Sequence, residues 1–86
     1  MPVIAKFYGI VIRMFRLHGM PARFYAIYQD SELVIEIAPL RVVQGSAPAR
    51  VAELVLEWAS LHQPELLASW RALLDGREPL VIAPLN

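Results

Sequence analysis

Eighty-six residues with no cysteine, two histidines, and eight Lys and Arg against eight Asp and Glu allow one modest core and exclude disulfides and thiolate metal sites. A hydrophobic share of 57% is high for so small a domain, and part of that apolar surface is expected to face a partner or a second copy. The charge is unevenly placed. Met1 to Gln29 holds Lys6, Arg13, Arg16 and Arg23 and no acid, whereas Asp30 to Asn86 holds all eight acids and four arginines; this reads either as a basic face or as two halves that neutralise each other on folding.

In chain order, "VIAKFYGIVIRMF" is rich in β-branched and aromatic residues and roughly alternates. It is read as a strand bent or bulged at Gly9, or as two short strands meeting there. Arg13 and Arg16 interrupt the longest apolar run, so no membrane-spanning helix and no membrane partner are expected. The opening also lacks the small-residue cleavage site of a leader, which makes the cytoplasm the expected compartment.

"RLHGMP" has the Gly and Pro of a turn. In "ARFYAIYQ", Arg23, Tyr25 and Ile27 point one way and Phe24, Ala26 and Tyr28 the other. "ELVIEIA" places Glu32, Val34 and Glu36 on one face, read as solvated, and Leu33, Ile35 and Ile37 on the other. After Pro39, "LRVVQG" is a return strand.

Ser46 is the expected N-cap of a helix with Pro48 in its first turn. Val51, Leu54, Val55, Trp58 and Leu61 recur at helical spacing, with Glu53 and Glu57 off that stripe. Pro64 opens a second helix, lined by Leu66, Leu67, Trp70, Leu73 and Leu74 and closed by Asp75 and Gly76. Trp58 and Trp70 sit on these stripes as core or interface anchors. "PLVIAPL" reads as a short terminal strand.

The expected architecture is a single α+β domain over residues 1–86: β-rich over 1–45, helical over 46–76, with a terminal strand over 79–85. Four to five short antiparallel strands carry the helix pair on one face.

"MPVIAKFYGIVIRMF", the "HGMP" turn and "PARVAELVLEWASLHQPELLASWRALLDGREPLVIAPL" together resemble the small bacterial family called domain of unknown function 4160. The most specific piece runs from Leu54 to Trp70. Many members of that family carry a turn and strand resembling H-x-P-P-H-F-H-A-x-Y. Here His18, Pro21, Phe24, Ala26 and Tyr28 match it, Arg23 and Tyr25 stand where two histidines would be, and an extra residue near Ala22 lengthens the turn. A metal site built on that histidine trio is therefore not expected, and neither is a cofactor. The resemblance also implies gene neighbourhood with a second small protein, of domain of unknown function family 2442, in pairs that look like toxin–antitoxin or autoregulatory modules.

The leading functional expectation is accordingly an interaction protein that pairs with a neighbour-encoded small protein. The alternative is a nucleic-acid-binding domain using Arg13, Arg16, His18, Arg23 and Tyr25. A metal-independent ribonuclease with His18 as general acid or base is its extreme form. A third reading is a homodimer without chemistry. No nucleophile elbow, phosphate loop, HExxH or paired-carboxylate motif occurs. His62, between the helices, is read as a capping residue.

Overall fold

The computed structural model describes residues 2–86. Strand β1 (Val3–Phe7) passes through Tyr8 and Gly9 into β2 (Ile10–Arg13). Both turn residues have positive φ, 51° and 79°. A two-residue hairpin turn of the mirror-image type demands that, and glycine meets it without strain. Of the two readings of Gly9, the structure takes the second: two strands meet there.

Strands β3 (Arg23–Tyr28), β4 (Ser31–Ile37) and β5 (Leu40–Ser46) follow. Each pairs antiparallel with its predecessor, in the order β1-β2-β3-β4-β5. Gln29 and Asp30 turn β3 into β4, and a cis Ala38–Pro39 bond lies in the turn into β5.

The register separates two faces, because directly opposed residues share a side. One row of the inner face runs Ala5, Ile12, Ala26, Leu33, Gly45; another carries Phe24, Ile35 and Val42. The outer face carries Arg13, Tyr25, Val34 and Gln44 in one row and Arg23, Glu36 and Arg41 in another. Gly45 has φ +89°, and a Cβ there would strike the Glu32 carbonyl oxygen. Only glycine lets β5 approach β4 this closely.

Helices α1 (Ala49–Leu61) and α2 (Gln63–Leu74) cover the inner face. Val51, Val55, Trp58 and Ala59 of α1 and Leu66, Trp70 and Leu73 of α2 complete one core with Ile4, Phe7, Ile12, Phe24 and Ile35. Fully burying each large aliphatic or aromatic side chain contributes roughly 1.5–3 kcal/mol. Both tryptophans belong to this core, so neither is an exposed interface anchor. Trp58 packs against Phe7 and Phe24, ring centroids 5.2 and 5.8 Å away.

Three sequence readings are corrected. Ser46 does not cap α1: it ends β5 opposite Glu32, and the helix starts after Pro48 with no side-chain cap. Leu61 falls on the apolar stripe by spacing but is 64% exposed, because α1 ends there at the bend around His62. Residues 79–85 form no strand. The tail is an extended strap in which Ile82 N–H donates to Ile4 O (2.8 Å), while Ser69 Oγ donates to Leu80 O and accepts from Leu80 N–H. Trp58 Nε1–H donates to Ala83 O at 2.8 Å. Pro79 and Pro84 lack the N–H groups a ladder needs.

Candidate functional site on the uncovered sheet face

The outer face has no helix against it, yet its centre is closed. Val34 is 4% exposed and Glu36 8%. Alternation along β4 places both on this face, but the reading of Glu36 as solvated is overturned, because side chains from the flanking strands lie across it. Arg23 on β3 donates from Nη2 to Glu36 Oε2 (3.4 Å) and from Nε to Pro21 O (3.2 Å). Arg41 on β5 donates from Nε to Glu36 Oε1 (3.0 Å). One carboxylate thus ties three strands together, its desolvation offset by two guanidinium partners. Arg23 is nearly as enclosed as Glu36, whereas Arg41 stands mostly in water.

Tyr25 lies directly across from Arg13. Its ring meets Phe15 edge-to-face at 4.6 Å, an arrangement favoured by the ring quadrupoles. Arg13, Arg23 and Tyr25 therefore share one face, as the alternation predicts. The other two candidates lie beside it on the loop between β2 and β3, where Arg16 Nε donates to His18 Nε2 at 3.2 Å. His18 is exposed, and its hydrogen bond is with Arg16, not with Arg23 or Tyr25.

Two members of the face escape a motif-based search. Glu36 and Arg41 belong to no chemical motif, and only the period-two pattern, extended across three strands, brings them to Arg23. His62 ends α1, its ring lies 5.7 Å from that of Trp58, and its Nδ1 is 2.8 Å from Glu65 Oε1. It is the cap residue between the two helices, as the sequence suggests: its backbone N–H donates to Ala59 O and its carbonyl accepts from Leu66 N–H, while its side chain caps neither.

Among the described residues, no group of three or more His, Cys, Asp or Glu side chains could hold a metal ion. Among the same described residues, no helix is long and apolar enough to cross a membrane. Grooves of about 320 and 370 Å³ lie along α1 with the tail, and between the tail and the start of β1. Neither includes Arg13, Arg16, His18, Arg23 or Tyr25.

The charge asymmetry of the sequence becomes a spatial one. Residues 1–46 carry five basic and three acidic side chains, and residues 47–86 carry three basic and five acidic. On the outer face Lys6, Arg13, Arg23 and Arg41 outnumber Glu32 and Glu36.

No curated protein and no solved structure matches the chain. One family model does, described as Domain of unknown function (DUF4160), over residues 9–71. The matched span runs from the β1–β2 turn to Arg71 in α2 and contains Arg13, Phe15, Arg23, Tyr25, Glu36 and Arg41 of the outer face, leaving β1 and the tail outside. With most of its length inside that match, the chain belongs to the DUF4160 family.

Proposed function

We propose that this protein is an interaction module, one half of a toxin–antitoxin-like or regulatory pair. Its partner would be a neighbour-encoded small protein resembling domain of unknown function family 2442. The observation that carries the reading is the uncovered outer face: a half-buried Tyr25–Phe15 pair and Val34, rimmed by Lys6, Arg13, Arg16 and Arg41. Tyrosine and arginine around a dry centre are the residue types that dominate protein interfaces. The basic rim favours a partner with an acidic patch.

The test is co-expression of the chain with its neighbour, followed by affinity capture in moderate salt. The neighbour is expected to co-purify with wild type and to be lost with Tyr25→Ala, while Glu57→Ala, on the far side of the molecule, captures it normally. A chain that stays monomeric and ignores its neighbour would overturn the reading.

A second reading, nucleic-acid binding by Arg13, Arg16, His18, Arg23 and Tyr25, is favoured by the placement of Arg13, Tyr25 and Arg23 on one face. It is weakened by Arg23, whose Nε and Nη2 are already engaged by Pro21 and Glu36. Phosphate contacts would give an affinity that falls steeply with salt. Absence of RNA and DNA binding at low salt ends this reading, and with it His18 as a metal-independent ribonuclease's acid or base.

A further inference from the structure

We infer that strand β5 is a self-association edge, along which a second copy of this chain adds antiparallel and continues the sheet. The inference is independent of the heteromeric reading, which concerns the outer face and not the edge.

The sheet has two edges, β1 and β5. At β1 the tail lies against the edge: the bulge between Val3 and Ala5 presents the Ile4 carbonyl, which accepts one hydrogen bond from Ile82 N–H. At β5 no strand follows. The strand is seven residues long, about 24 Å of edge at the usual rise. Ile37 N–H donates towards β3, to Ala22 O, so the alternate residues Val34 and Glu36 bond towards β5. By the antiparallel pattern, the N–H and C=O groups of Leu40 and Val42 then point away from the sheet. Val42 and Val43 are 39% and 37% exposed beside them.

Natural edges of this length are guarded by lysine, proline, bulges or inward charges. Within β5 there is no lysine and no proline, and its one charge, Arg41, is answered by Glu36 of the same copy. A bulge at Val42 and Val43 is the remaining guard. The β1 edge, which is also bulged, takes one backbone hydrogen bond from the tail, Ile82 N–H to Ile4 O.

The charge pattern selects the occupant. The strand carries no acid, and its one base, Arg41, is held on Glu36 of its own copy. A two-fold axis near the valine pair sets valines against valines and keeps the two Arg41 side chains, each on its own Glu36, towards opposite ends. Oligomerisation is also a common way for domains of this size to gain stability.

The experiment is sedimentation velocity on the purified full chain over a concentration series, with hydrogen exchange measured at the lowest and highest concentrations. Wild type is expected to dimerise as concentration rises, with the added amide protection confined to β5. Val43→Lys, at an exposed position, is expected to stay monomeric throughout with an unchanged circular dichroism spectrum, while Tyr25→Ala dimerises like wild type. A wild-type chain monomeric at every concentration, a dimer that Val43→Lys leaves intact, or protection appearing away from β5 would each overturn the inference. So would a neighbour-encoded protein whose capture is abolished by Val43→Lys, since it would occupy the edge in place of a second copy. Should Val43→Lys fail to fold, the exchange map of the unmodified chain decides alone.

Discussion

The two faces of the sheet are built from alternate residues of the same strands, yet different physics closes them. The inner face is closed by a second layer: Ile4, Ile12, Phe24, Ile35 and Ile37 are sealed beneath α1 and α2. The outer face has no second layer. Its centre is closed by long side chains of the sheet itself, Arg23 and Arg41 reaching over β4 to Glu36 while Tyr25, with Phe15 edge-on to its ring, lies opposite Val34. The inner arrangement gives stability through apolar area. The outer one keeps a charged group dry with little such area, a poor source of stability.

The largest expected effect lies in the inner layer. Trp58→Ala removes the centre of the inner layer and should cost about 3–5 kcal/mol, read as a large fall in the urea midpoint with an unchanged slope. Glu36→Ala should cost about 2 kcal/mol, below the roughly 3–5 kcal/mol of breaking a wholly buried pair, because Arg41 can return to water while only Arg23 is stranded. If calorimetry found Glu36→Ala as damaging as Trp58→Ala, the outer face would be a second core and the distinction would fail. Ser69→Ala, which strips both hydrogen bonds from Leu80, should cost about 1 kcal/mol and speed amide exchange at Leu80 and Ile82 ahead of the strands. Arg50→Ala removes an exposed i,i+3 pair with Glu53 and should change stability by no more than about 0.5 kcal/mol in chemical denaturation. A larger loss would mean that surface charge on α1, and not the core alone, holds the inner layer in place.

Much of this fold was legible in the sequence because strand and helix periods are local. Alternation in "ARFYAIYQ" and "ELVIEIA" sorted Phe24, Ile35 and Ile37 from Tyr25, Val34 and Glu36, and the Pro64 and Asp75–Gly76 boundaries of α2 follow from backbone chemistry alone. What escaped depends on neighbours distant in sequence. Alternation tells which way Glu36 points, but not that arginines thirteen residues before it and five after it meet there. "PLVIAPL" has the composition of a strand, yet its prolines and its single bond to Ile4 make it a strap. Ser46 has the chemistry of a cap, but β5 claims it first. The site is legible to the same extent: Arg13, Arg23 and Tyr25 follow from periodicity, whereas the separation of His18 from them depends on the path of a loop.

The hydrogen bond from the Trp58 indole to Ala83 O has an optical consequence. Trp58 is fully buried among aromatic rings, and its one polar atom is satisfied by the tail. Its emission therefore gauges whether residues 77–86 are seated. Lifting the strap would let water reach the indole N–H and move the fluorescence to the red, while the far-ultraviolet signal of sheet and helices stayed as it was. A spectrometer could thus follow the docking of the tail against Ile4, Ser69 and Trp58 with no label attached to the chain, most cleanly with Trp70 replaced by Phe.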